Sequence, residues 1–308
     1  MENNPGFEPG GVLLLDKAAG WTSFDVVAQI RKLFGTKKVG HAGTLDPMAT
    51  GVLPVLIGRA TKLEPFLVEH RKKYRATLRL GLTTDTGDIT GTVLRQCDAL
   101  PSADEVIRVS RTFSGTILQT PPMYSALKVN GQKLVDLARA GKTVERKPRP
   151  VEIYDLEIRP TERKEAFELT VSCGKGTYIR TLCEDIGSRL GCGGTMEALR
   201  RLEVTPFSIE ECVTLDRLKE MSPSDRSARL LSPQKCLPHL PLVEVNDFQA
   251  ALAQNGVSLR QEKIGVSLHE GQQVLVTDTH KNLICISKAA QDESGQPLLK
   301  PLCIWKVK

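Results

Sequence analysis

The chain has 308 residues, 40% of them hydrophobic and 25% charged, proportions that suit a globular chain able to bury a core without staples. No apolar run approaches the ~20 residues a membrane helix needs, and residues 1–6 (Met-Glu-Asn-Asn-Pro-Gly) lack the basic start and apolar core of a signal peptide. The net charge of +6 permits a polyanionic partner, and because residues 241–308 hold seven Lys/Arg and seven Asp/Glu, the whole excess lies in residues 1–240.

Taken in chain order, residues 11–16 contain the run Val12-Leu13-Leu14-Leu15, which predicts a buried strand. Gly20-Trp21-Thr22-Ser23 leads into a helical pattern with Val26, Val27, Ile30, Leu33 and Phe34 on one face. Thr22 or Ser23 can cap its first turn, and Gly35 ends it. Residues 40–51 form a loop punctuated by Gly40, Gly43, Pro47 and Gly51, followed by a second apolar strand over 52–57. A basic cluster, Arg71-Lys72-Lys73 with Arg75 and Arg79, runs into an alternating strand at 74–80, and residues 81–92 are rich in turn formers.

Pro121-Pro122 opens a region of low apolar content with a short helix at 134–140 and a second basic cluster, Arg139, Lys142, Arg146, Lys147 and Arg149. It reads as a surface insertion over about residues 121–150. Strands are predicted at 151–158 and 166–173, then a helix from Tyr178 to Leu190, capped by Thr177 and stopped by Gly191. Pro233, Pro238 and Pro241 mark a linker near 232–241, beyond which three short strand patterns suit a small β-barrel. The expectation is a mixed α/β body over 1–240 and an all-β tail over 241–308.

Eight cysteines include no C-x-x-C pair and the five histidines supply no metal-ligand spacing, so no metal is expected and a reduced, cytoplasmic setting is. Three segments could carry chemistry. In Gly40-His-Ala-Gly-Thr-Leu-Asp-Pro-Met-Ala-Thr-Gly, Asp46 precedes a stiffening proline on a loop between apolar elements, a place for a nucleophile or an acid/base; an Asp-Pro turn is the plainer reading. His41 is a base, a polar wedge or a turn residue. Cys173-Gly-Lys-Gly-Thr-Tyr-Ile-Arg turns a strand into a helix but lacks the Walker frame; Arg180 beside an aspartate would hold it ionised. Lys72-Lys73-Tyr74-Arg75 sets one aromatic among cations, which suits phosphates and a stacked base, although a strand aromatic is more often core.

Together these segments, with Asp16-Lys-Ala-Ala-Gly-Trp-Thr-Ser-Phe, Gly58-Arg-Ala-Thr-Lys, Thr84-Asp-Thr-Gly-Asp, Pro121-Pro-Met-Tyr-Ser-Ala-Leu-Lys and Leu199-Arg-Arg-Leu, resemble the bacterial-type tRNA pseudouridine-55 synthases, the TruB family. The ordered blocks cover about residues 11–240. One departure is Ala18, where the family usually has proline after the lysine. The resemblance implies an α+β fold, a mixed and largely antiparallel central sheet flanked by helices, with a PUA-like C-terminal barrel. It implies a cofactor-free isomerase, expected to be a monomer, that everts the T-loop uridine of tRNA and converts it to pseudouridine. By resemblance Asp46 is the nucleophile, Arg180 its ion-pair partner, and Tyr74 the ring stacked on the base and a candidate for removing the C5 proton. His41 fills the place of the flipped base, Tyr178 and Leu199 wall the pocket, and Lys17 and the 139–149 cluster are placed to meet phosphates. The alternatives are a glycosylase acting on the same bond and a non-catalytic RNA-binding protein.

Overall fold

The structure is a computed structural model and describes residues 10–67, 71–129 and 131–305; the N-terminal residues read for a signal peptide, and the charges of Lys306 and Lys308, lie outside them. Period-two alternation builds the main sheet. Its principal strands are β1 (Gly11–Lys17), β2 (Thr50–Ile57), β3 (Lys72–Leu80), β4 (Gly115–Gln119), β5 (Arg149–Pro160), β6 (Ala166–Cys173), β7 (Gly194–Val204) and β8 (Val213–Thr214). They lie in the order β8-β1-β2-β7-β3-β6-β5-β4. Only the β1/β8 and β2/β7 contacts along this path are parallel, so the sheet is mixed and largely antiparallel, as expected.

Helices α1 (Ser23–Phe34), α2 (Ala103–Ser110) and α3 (Ile179–Arg189) supply apolar residues to the same core. Tyr74, Ala76, Leu78 and Leu80 on β3 share it with Ile179, Leu182 and Ile186 of α3. Each fully buried leucine or isoleucine in it removes apolar surface worth about 1.5–3 kcal/mol. Thr22, not Ser23, caps α1 in a reciprocal capping box with Asp25, and Gly35 ends the helix in the left-handed region. At α3 the expected cap is displaced: Tyr178 occupies the cap position without a side-chain bond to the helix, while the Thr177 hydroxyl donates back to Gly174 O at 3.0 Å.

The tail corrects two expectations. Its strands, β9 (Leu242–Glu244), β10 (Leu259–Arg260), β11 (Gln273–Thr277), β12 (Leu283–Gln291) and β13 (Pro297–Ile304), form an open sheet in the order β9-β11-β12-β13-β10. The barrel is not closed among the described residues. The two end strands, of three and two residues, each pair on one side only and are too short to close it. Nor is 232–241 a loose linker. Ser232 caps a short helix, Pro233–Cys236, and Cys236, Leu237 and Leu240 are buried in an apolar cluster with Val12, Leu56 and Leu63 of the body and Leu275, Ile286 and Trp305 of the tail.

One close approach ties sheet to site. Gly51, with φ +105°, lies opposite Arg201 in the parallel β2/β7 register, and a Cβ there would stand 2.1 Å from Arg201 O. Both conformation and space exclude a side chain. Gly51→Ala is therefore expected to destabilise the fold by about 3 kcal/mol or more in urea unfolding; a variant within about 0.5 kcal/mol of wild type would contradict this packing.

Candidate active site

The loop between α1 and β2 is held at nearly every turn. The Ser23 hydroxyl both accepts from Leu45 N and donates to Leu45 O, at 3.0 and 3.2 Å. Arg201, 1% exposed, donates to Gly43 O, Thr44 O and Val52 O at 3.0, 3.3 and 2.7 Å. Gly20 N donates to Pro47 O at 2.9 Å, and Ala49 N closes a turn on Asp46 O. The result is a carboxylate on a rigid mount, one-third exposed on its side chain.

Facing it is Arg180, in the first turn of α3 and 5% exposed. Its Nε lies 3.0 Å from Asp46 Oδ2, and its Nη2 donates to Oδ1 at 3.4 Å, so the guanidinium grips both carboxylate oxygens through two nitrogens. The remaining donors reach Thr86 O at 3.1 Å and Tyr124 O at 2.8 Å. Asp88, 6% exposed, sits 3.9 Å from Nε. It is itself fixed by Thr86 and by the backbone and hydroxyl of Thr90, whose Oγ1 donates at 2.5 Å. Burial pushes the Asp46 carboxyl above its ordinary range, the Arg180 charge pulls it back, and Asp88 adds a smaller upward push.

Asp46 and Arg180 open into a cleft of about 400 Å³ whose walls include Leu45, Lys72, Tyr74, Tyr124, Ser125, Tyr178 and Leu199. The structure thus brings together five of the residues singled out in the sequence: Asp46, Tyr74, Tyr178, Arg180 and Leu199. Tyr74 belongs to both readings, for it is 7% exposed in the core and lines the cleft. Burial raises its phenol above the ordinary value, and Arg201, opposite it in the β3/β7 register, counteracts.

Two residues are not brought to the cleft. His41 ends the short strand Val39–His41 paired to β2; its Nδ1 is buried without a partner, and burial, with Arg201 nearby, lowers its basicity. Lys17 corrects the sequence reading outright. It is 2% exposed, and its ammonium donates to Ala18 O, Trp21 O and Pro47 O at 2.9, 2.7 and 3.2 Å. The three donors are spent on two carbonyls of the 18–21 turn and one of the 40–51 loop, leaving none for a phosphate. Burial lowers it to about 8, with the Asp46 charge pulling upward. The 71–75 cluster is divided by strand alternation as well. Lys72 shares the cleft face with Tyr74, whereas Lys73 and Arg75 pair with Glu203 and Glu168 at 3.9 and 3.8 Å.

The sequence reading assigned no role to Asp88, Arg201, Tyr124, Gln119 or Glu184. Asp88 and Arg201 lay inside quoted blocks, and strand alternation put Arg201 on the same side of β7 as Leu199, a buried cation on an inward face. Nothing in the sequence joined Asp88 to Arg180. Among the described residues no three His, Cys, Asp or Glu side chains converge as a metal site, and no helix is long and apolar enough to cross a membrane.

A cleft walled by Tyr74, Tyr124, Tyr178 and Leu199, with one carboxylate clamped by one buried arginine, is the candidate active site of this fold. The comparisons identify the family. The N-terminal domain of the TruB family of pseudouridylate synthases matches residues 31–179, and the C-terminal domain of tRNA pseudouridylate synthase B matches 180–234. The tRNA pseudouridine synthase B of Syntrophotalea carbinolica is 45% identical over 86% of this chain and 88% of its own length. That of Chromohalobacter salexigens is 49% identical over 76% of each. A solved H/ACA ribonucleoprotein bound to a substrate RNA containing 2′-deoxyuridine is 26% identical, with a TM-score of 0.70 over 100% of this chain and 92% of that one. The chain belongs to the TruB family of pseudouridylate synthases.

Glu184 gives the site a measurable pH signature. Its carboxyl lies against Gly87, where a Cβ would come within 3.1 Å of both oxygens. Burial, helped by Asp185, raises it from 4.5 to about 7 despite Arg180 and Arg146. Between those values the folded chain keeps a proton that the unfolded chain releases, so stability falls as pH rises through about 7. Glu184→Gln removes that loss. The melting temperature of the variant minus that of wild type is expected to grow from pH 5 to pH 8; a flat or shrinking difference would contradict the burial assigned to this group.

Proposed function

We propose that the protein isomerises the T-loop uridine of tRNA, position 55, to pseudouridine, with Asp46 as nucleophile and no cofactor. The observation that carries this reading is the bidentate Asp46–Arg180 pair at the mouth of a cleft walled by Tyr74, Tyr178 and Leu199. An ionised carboxylate attacks carbon and can leave again, and the arginine favours the ionised form against the burial that opposes it. In the net reaction N1–C1′ breaks and C5–C1′ forms, while C5 loses a proton and N1 gains one, so the product is an isomer. The carboxylate acts at C1′ of the ribose or at C6 of the uracil.

The uridine must be flipped out of the loop to enter so narrow a cleft. Tyr74 and Tyr178 offer rings to it, Leu199 bears on it from β7, and the Tyr74 hydroxyl is the candidate for taking up the C5 proton, a role that burial opposes and Arg201 favours in part. His41, at the root of the same loop, wedges into the place the base leaves. Arg139, Lys142, Lys147 and Arg149 are exposed on the 121–150 insertion and meet the phosphates. Residues 241–308 serve as a PUA-like RNA-binding unit beside a catalytic unit of 1–240, and the enzyme works as a monomer in the cytoplasm. The similarity to a ribonucleoprotein holding a substrate RNA supports an RNA substrate, and the curated relatives support tRNA.

Unmodified tRNA carrying 5-tritiated uridine is expected to release tritium on incubation with the protein, from the T-loop uridine alone and without free uracil. Asp46→Asn should abolish release, by at least about 10³-fold, with tRNA affinity held within a few-fold. Free uracil in place of pseudouridine would make the protein a glycosylase, and full activity in Asp46→Asn would remove the carboxylate from the chemistry.

A further inference from the structure

We propose that Gln119 is a positioning residue for the reaction: its side-chain amide sets the start of α3 and thereby the place of Tyr178 and Arg180 in the cleft. The inference rests on the isomerase reading above. Gln119 ends β4, at the root of the 121–150 insertion, and is 2% exposed. Its Oε1 accepts from Tyr178 N at 2.7 Å, and its Nε2 donates to Tyr178 O at 3.0 Å. A single side chain thus pairs with both backbone groups of one residue, 59 positions away in sequence, as a neighbouring strand would.

The position of this clamp gives it consequence. Tyr178 is the cap of α3, and no side chain of its own segment caps the helix. The Tyr178 carbonyl accepts both the first helical bond, from Leu182 N at 3.1 Å, and the Gln119 amide. The angle at which the helix leaves the Gly174–Thr177 turn is therefore fixed from outside the helix. Two residues further on, Arg180 donates to Tyr124 O at 2.8 Å. The segment that carries the clamp also carries this second hold, and between them stand Pro121 and Pro122, both buried and both limited in φ. Gln119 and the Tyr124 carbonyl bracket the helix start through a stiff strut. Arg146, further along the same insertion, donates to Pro121 O at 3.0 Å and braces that strut. Movement of the insertion is thus transmitted to the arginine that holds Asp46.

Removing the amide leaves the half-buried Tyr178 N–H without this acceptor and its carbonyl with the helical bond alone, and a misplacement near 1 Å in a catalytic group can cost about 100-fold in rate. The test uses Gln119→Ala and Gln119→Glu in the full-length protein, with single-turnover pseudouridine formation on unmodified tRNA at pH 6 and pH 8.5 and tRNA affinity measured alongside. Gln119→Ala is expected to slow the single-turnover rate by about 10–100-fold at both pH values, with tRNA affinity within about threefold. A glutamate can accept from Tyr178 N at any pH, but it donates to Tyr178 O only when protonated. At pH 8.5 Gln119→Glu should therefore be as slow as Gln119→Ala, and at pH 6 its rate relative to wild type should recover by at least about fivefold, as the second hydrogen bond returns. A role in packing alone moves with neither proton nor rescue.

A Gln119→Glu to wild-type ratio that is flat with pH, rates within about twofold of wild type in both variants, or a defect confined to tRNA affinity would each overturn the proposal. Failure of wild type to make pseudouridine on the same tRNA would instead overturn the isomerase reading, which separates the two.

Discussion

A guanidinium sealed from water is the constraint on which the site depends. Arg180 is 5% exposed, and a buried cation is tolerable only if its donors find acceptors and its charge finds a partner. Three parts of the chain meet that demand: the 40–51 loop with Asp46, the 84–92 turn with Asp88 and the Thr86 carbonyl, and the root of the insertion with the Tyr124 carbonyl. Loss of any one leaves part of a buried charge unsatisfied. Fold and active site are therefore stabilised by the same contacts.

The second cation, Arg201, does for the loop what Arg180 does for the carboxylate. It spends three donors on the carbonyls of Gly43, Thr44 and Val52, and Lys17 adds a bond to Pro47 O. A carboxylate so mounted needs no reorganisation of its support to act, which is how a protein site gains over water. The arrangement also sets two opposing pressures on Asp46. Burial favours its protonated form and Arg180 its ionised form, and a nucleophile needs the second to hold at neutral pH. Gly51 belongs to the same mounting, since only the absence of its side chain lets β7 bring Arg201 against β2.

Much of this was legible in the sequence, and the limits have physical causes. Local patterns gave α1 with its Gly35 stop and a cap at Thr22 or Ser23, the apolar runs of β1 and β2, and the alternation of β3 and β6. The blocks around Asp46, Tyr74, Tyr178, Arg180 and Leu199 pointed to residues that do share one cleft. Period two by itself separates Lys73 and Arg75 from Tyr74, and it turns Arg201 inward. Contacts across the fold were out of reach, because nothing local links Gln119 to Tyr178 or Asp88 to Arg180. Lys17 misled for a related reason. A lysine at the end of an apolar strand reads as a surface cation until the carbonyls that surround it are known. The tail was read as a barrel from its strand spacing, which reports strands but not whether the last ones are long enough to close.

Arg180 favours the ionised form of Asp46 against burial, and titration of that carboxyl measures the effect directly. Carbon-13 NMR of aspartate-labelled protein, with the Asp46 signal assigned by its loss in Asp46→Asn, gives the midpoint in wild type and in Arg180→Gln. The midpoint in wild type should lie above that of an ordinary aspartate, and in Arg180→Gln it should rise further by at least about one unit. An Asp46 midpoint unmoved by the loss of Arg180 would contradict the claim.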